Sequence, residues 1–316
     1  MPAGMAMIQS VLAASSNQFH FLVLALDDDT FDFLTSLKRE EITLLRLADF
    51  IGGPLVELRQ QRNWREFCWT LPAYILDYAL SSPMKFSFVA YVDSDCYFFS
   101  DFDQLVRELN PEKSVLIHPH RFPEVRKHME YESGIYNVGV ILGRSNANFL
   151  NVVKKWKKDV TIECILDPAA GKCGDQTYLN DWPELFNFVK IAQSHGIGAG
   201  PWNIESSRYS QSDRIVFVDG EKLVFYHFSR FKPILISKHI NFCAAALGYS
   251  VPNIVRTTVY RNYLQAYSTE YTKVKRFFGR NFPKKLGFQS LAPALKQRQI
   301  VIYSDLRLSL LGRRIK

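Results

Sequence analysis

Residues 86–103 read Phe-Ser-Phe-Val-Ala-Tyr-Val-Asp-Ser-Asp-Cys-Tyr-Phe-Phe-Ser-Asp-Phe-Asp, and the rest of the chain is organised around them. Seven residues without a charge, rich in aromatic and β-branched side chains, predict a strand buried on both faces. It ends abruptly in Asp93-Ser94-Asp95. Residues two apart on a strand point the same way, so both carboxylates can face one spot just past its end. In an open α/β sheet that is where ligands bind. Two hard oxygen donors there suit Mg²⁺ or Mn²⁺, ions that commonly complete their shell with substrate phosphates. The plainer reading, two aspartates closing a strand in a solvated turn, is weakened by the aromatic return Tyr97-Phe98-Phe99 and the helix cap Ser100-Asp101 behind it.

At 316 residues, 47% hydrophobic and 22% charged, the chain can bury a full core. Its 24 Phe and 15 Tyr suit a globular enzyme rather than a disordered binder. Apolar runs such as Phe21–Leu26 fall short of the roughly 18 residues of a membrane span, and the start lacks a signal-peptide pattern. The five cysteines are scattered and no N-x-[ST] acceptor occurs, so free thiols in the cytoplasm are expected. Residues 251–316 hold 14 Lys+Arg against Glu270 and Asp305, a net of +12, leaving −4 for residues 1–250. The basic character belongs to the tail, which is expected to meet something anionic.

Along the chain, Gly4–Ser15 has the composition of a helix and Phe19–Leu26 that of a buried strand ending in Asp27-Asp28-Asp29. Glu40–Leu47 fits a helix or part of a strand. Glu57–Leu80 reads as a long helical region with Pro72 as kink or boundary. The alternation predicts an α/β layer. A nucleotide-binding α/β unit opens on a strand, whereas this chain opens on a helix, so that first strand is expected to be missing. Val115–Pro119 reads as a strand, and His118, His120 and Arg121 as either an ordinary polar loop, the favoured reading, or phosphate contacts. Tyr136–Leu142 is a strand opened by Asn137 and interrupted by Gly139, the mark of a close approach. Asn148–Val160 is an amphipathic helix with Phe149, Val152, Val153 and Trp156 inward. Gly174-Asp175-Gln176-Thr177 starts a helical turn, Trp182 packs, and Leu223–Pro233 carries a strand ending in His227.

Taken in order, Asp93/Asp95, Asn137/Gly139, Asp175/Gln176 and His227 resemble the motifs of GT-A nucleotide-sugar glycosyltransferases, similar to the family 8 group and its bacterial relatives. The resemblance spans roughly residues 4–235. It implies a GT-A (Rossmann-like) fold, a mixed, mostly parallel sheet flanked by helices over residues 1–240. A basic, mostly helical segment would follow at 241–316. It implies a sugar moved, with retention, from a nucleotide donor such as a UDP-sugar to a glycan or lipid-linked acceptor. Asp93, Asp95 and His227 would hold Mn²⁺ or Mg²⁺, and Asn137 and Gly139 the donor sugar. Asp175 and Gln176 would sit beneath that sugar, and Arg230 or Lys232 would meet the diphosphate. In an inverting enzyme Asp175 could instead serve as base. Arg230 departs from the resembled pattern, standing where a glycine-containing turn is common. Aromatics interleave with Lys and Arg over Val274–Leu286 and Arg307–Lys316, which suits peripheral contact with an anionic membrane at the inner face. A solvated tail and nucleic-acid binding are the competing readings, and no nucleic acid is expected. For the whole chain the competing readings are a non-catalytic basic adaptor on a degenerate domain and an aspartate-nucleophile phosphatase. The phosphatase pattern expects Thr or Val where Tyr97 stands.

Overall fold

The computed structural model describes residues 1–83, 86–236, 239–242 and 247–279. Helix α1 (Pro2–Ala14) opens on a proline, whose fixed φ suits a first helical turn, and buries Met5, Ile8 and Val11. Strand β1 (Phe21–Ala25) leads to α2 (Asp28–Ser36), capped by Asp27, whose Oδ1 accepts from Thr30 N at 2.8 Å. Strand β2 (Ile42–Arg46) settles the ambiguous stretch: it pairs in parallel with β1 from Phe21↔Ile42 to Ala25↔Arg46. The long helical region divides into α3 (Pro54–Gln61) and α4 (Trp64–Ser81), and α4 runs on through Pro72.

Strands β3 (Phe88–Val92) and β4 (Cys96–Phe98) flank the acidic pair, and α5 (Asp103–Leu109) follows. Then come β5 (Val115–Pro119), β6 (Tyr136–Arg144), α6 (Ala147–Ile162) and β7 (Val189–Ile191). The central sheet has the order β3-β6-β5-β7. It is mixed, as expected, but the expected parallel majority is not met among the described ladders. Only β1·β2 and β5·β7 are parallel, whereas β6 runs against both β3 and β5. The reason is topological: β5 and β6 are joined by a returning segment rather than a crossover helix between them, which leaves them antiparallel.

One face of this sheet packs on α4 and α6 through Phe67, Leu71, Phe149, Val152 and Trp156. The other packs on α5 through Leu105 and Leu109. Strand β8 (Phe225–His227) pairs antiparallel with β4, His227 opposite Cys96. Helix α7 (Arg261–Phe278) is the last element among the described residues. Its Tyr263 ring stacks on Phe228 at 3.8 Å, and Tyr260 just ahead of it stacks on Phe242 at 4.4 Å. No helix among the described residues is long and apolar enough to cross a membrane.

Among the described residues β1 pairs only with β2, and β3 only with β6. Between the two facing edges runs a slot of about 1170 Å³. Helix α1 lines one side through Met5, Ile8 and Val11, and α4 lines it through Leu71, Ile75 and Leu76. Although both strands are apolar, Phe21–Leu24 and all of β3 are only half-buried.

Candidate functional site

The acidic pair sits in the turn between β3 and β4. Asp93 N donates to Gly139 O at 2.8 Å, and Cys96 N donates to Asp93 O at 3.0 Å, so the turn is clamped to β6 and to itself. The β4·β8 ladder then carries His227 across to it, with Phe228 N donating to Asp95 O at 2.8 Å. His227 Nε2 lies 3.1 Å from Asp95 Oδ1 and 3.7 Å from Asp93 Oδ2. One ligand atom from each of the three residues falls within 4.8 Å of the others, the geometry of a single-ion cage.

The back of the imidazole fixes its chemistry. His227 Nδ1–H donates to Asn137 Oδ1 at 3.0 Å. Asn137 can only accept there, because the same oxygen takes Gly139 N–H at 2.8 Å while its Nδ2 donates to Gln176 Oε1 at 2.8 Å. That nitrogen also faces His120 Nε2 at 3.2 Å, and His120 Nδ1–H donates to Gly134 O at 2.9 Å. Every donor and acceptor in this chain has one consistent direction. It leaves the Nε2 lone pair of His227 pointing at two carboxylates, a set that needs a cation, either a proton or a metal ion. Two carboxylate oxygens and one imidazole fit Mn²⁺ well, and Mg²⁺ less so because of the nitrogen.

Gly139 permits this packing: a Cβ there would come within 2.4 Å of His227 Nδ1 and 2.6 Å of Asn137 Oδ1. The electrostatics agree. Burial alone lowers a histidine, but the facing Asp95 and Asp93 charges overcome it and hold His227 above its ordinary value. For Asp95, burial pushes up, yet the His227 charge and hydrogen bond win and hold it below the usual carboxylate range. Burial dominates at Asp93, which is raised; Tyr91 Oη donates to its Oδ1 at 2.6 Å.

Asp175 is buried beside this cluster, its carboxyl pushed well above the usual range by burial and then by the Asp93 charge. Its carbonyl accepts from Trp156 Nε1 at 2.9 Å. Gln176 braces the wall, with Nε2 donating to Ser133 O at 2.5 Å and Oε1 accepting from Val138 N at 3.3 Å. Arg230 and Lys232 are exposed, and neither makes a hydrogen bond or ion pair among the described residues. Arg230 adopts φ +60, the left-handed conformation a glycine takes easily, and its Nη1 approaches Gly248.

His118, His120 and Arg121 belong neither to an ordinary polar loop nor to a phosphate-contacting surface. Both histidines are buried, and the Arg121 guanidinium caps Ala192 O and Ile197 O at 2.8 Å. Sequence reasoning missed Tyr91, the bracing role of His120, and Trp202, whose ring meets His227 edge-on at 5.3 Å. The strand period put Tyr91 on the Asp93 face and could have found it; nothing in the sequence marked Trp202. Cys68, Cys96, Cys164 and Cys173 are free thiols, as expected.

No family model matches the chain. A solved structure of the galactosyltransferase LgtC, in complex with donor and acceptor sugar analogues, is similar at 14% identity and a TM-score of 0.47, over 72% of this chain and 83% of that one. The uncharacterized protein YfnF of Bacillus subtilis (strain 168) is 32% identical over 223 residues, 68% of this chain and 73% of YfnF. The uncharacterized protein YfnD of the same organism is 31% identical over 243 residues, 76% of each chain. With the matched stretch covering about three quarters of both relatives, the chain belongs to the family that contains YfnD and YfnF.

Proposed function

We propose that the chain is a metal-dependent glycosyltransferase of the GT-A type, family 8-like. It moves a hexose-type sugar from a nucleotide diphosphate donor, a UDP-sugar, to a hydroxyl of a glycan or lipid-linked acceptor with retention. The observation that carries this reading is the convergence of the Asp93/Asp95 pair with His227, far from it in sequence, the imidazole Nε2 facing both carboxylates. A divalent ion held there would neutralise the diphosphate as the anomeric C–O bond breaks. Asn137 keeps His227 in the ligating tautomer, and Gln176 keeps Asn137 in place. Asp175, whose carboxyl burial pushes well above the usual range, accepts from sugar hydroxyls beneath the donor and, when it carries a proton, donates to them. Retention then rests on the leaving phosphate oxygen taking the acceptor proton on the same face. Arg230 or Lys232 supplies a cation to the diphosphate as that loop meets the donor.

Residues 251–316 provide the peripheral contact with an anionic cytoplasmic membrane face where the acceptor is lipid-linked. The deciding experiment is UDP release from a panel of UDP-sugars with and without Mn²⁺, alongside calorimetric Mn²⁺ titration. Turnover and Mn²⁺ binding that both vanish in Asp95→Ala support the enzyme. Mn²⁺ binding without turnover of any nucleotide sugar supports the adaptor instead.

A further inference from the structure

We propose that the slot between β1 and β3 is a strand position, and that residues 299–304 of the chain's own C-terminal tail fill it. The proposal is independent of the glycosyltransferase reading. Two five-residue strands present facing edges to one slot, and each lacks a second partner strand among the described residues. An unpartnered strand edge is a row of unmade backbone hydrogen bonds, ready to accept another strand. Both edges run the same way. Asp27 and Asp93 line the slot at one end, and at the other the His20 and Phe86 rings stack at 5.8 Å. Helices cover both faces, so the occupant must be apolar on both faces and parallel to its neighbours.

The two walls share a sequence form. Leu22-Val23-Leu24-Ala25-Leu26-Asp27 and Phe88-Val89-Ala90-Tyr91-Val92-Asp93 are each five apolar residues closed by an aspartate. The tail, outside the described residues, carries Gln299 and then Ile300-Val301-Ile302-Tyr303-Ser304-Asp305. That segment has β-branched residues in its first three positions, a tyrosine where β3 has Tyr91, and an aspartate in the sixth. The tail also starts in the right place. At the end of α7 the Phe277 ring meets Phe33 at 5.5 Å, and Phe278 joins the cluster that holds Phe21 and Val23 of β1. The 19 residues from 280 to 298 can span up to roughly 60 Å extended, ample to enter the slot at its His20 end.

Cysteine scanning in the full chain tests this. Cys68 on α4 lines the slot. With Ile300→Cys, Val301→Cys and Ile302→Cys made singly and oxidised with copper–phenanthroline, a seated strand crosslinks to Cys68 with a period of two. Either Val301 or the Ile300/Ile302 pair reacts, and Cys68→Ala abolishes the bridge. In parallel, Val301→Asp should speed amide exchange of residues 88–92 by about tenfold or more and lower Tm by roughly 5–10 °C. No crosslink at any position, or equal crosslinking at Ile300 and Val301, overturns the proposal. So do bridges found only between two chains, which would assign the slot to a second copy. Unchanged exchange in Val301→Asp overturns it as well.

Discussion

Asn137 is a buried amide whose four hydrogen-bonding partners, His227, Gly139, Gln176 and His120, leave it one orientation. Groups that orient a metal-ligating histidine typically contribute 10–100-fold in metal affinity. Gly139→Ala, which forces a methyl between His227 and Asn137, should therefore weaken Mn²⁺ binding by about 10–100-fold in calorimetry while the far-ultraviolet circular dichroism is unchanged. A second residue-level expectation concerns acid. His118 is buried with neither ring nitrogen partnered and is held well below its ordinary value, by burial first and then by the His120, Arg121 and His227 charges. Burial likewise takes His120 down to about 3. Below about pH 6.5 the unfolded chain binds protons that these folded imidazoles refuse, so stability falls as pH drops from there toward the folded values. His118→Leu should make the fall of unfolding free energy below about pH 6.5 shallower than in the parent chain, measured by urea titration across that range.

At the scale of elements, the position of His227 depends on a helix packed behind it. Tyr263 on α7 stacks on Phe228, the residue after His227, and also meets Tyr97 of β4 at 5.8 Å. Tyr263→Ala should destabilise the chain by about 3–5 kcal/mol in chemical denaturation. It should also weaken Mn²⁺ binding, through loss of strand position rather than loss of a ligand. The strands and helices that build the site were legible because their patterns are local. The apolar run into Asp93-Ser94-Asp95, the inward face of α6 and the strand ending in His227 all announce themselves at period two or at helical spacing. What stayed hidden was pairing between distant segments. Nothing in Val115–Pro119 says that His118 and His120 will be covered from the far side by Phe225 and Trp202. Nor does Tyr136–Arg144 reveal that it runs against both neighbours. Arg230 is the instructive exception: its glycine-like φ appears where the resembled pattern has a glycine-containing turn.

For the whole molecule, the split of −4 for residues 1–250 and +12 for 251–316 predicts orientation on a charged surface. Cosedimentation with phosphatidylserine vesicles should be strong at low salt and fall steeply as ionic strength rises, while neutral vesicles leave the chain in solution. The slot between β1 and β3 was not legible in the sequence, because it depends on how two strands distant in the chain stand side by side.

The β4·β8 ladder has a consequence for how this family can diverge. The distance between the carboxylates and the imidazole is set by one backbone register, Cys96 opposite His227, rather than by the long stretch of polypeptide separating them. Length changes in the loops between those two strands, away from Asn137, Gly139 and Gln176, leave the cluster intact, whereas a slip of a single rung would turn the imidazole to the opposite face. The loops elsewhere are therefore free to drift in length, while the three-residue cluster either stays whole or is lost in one step.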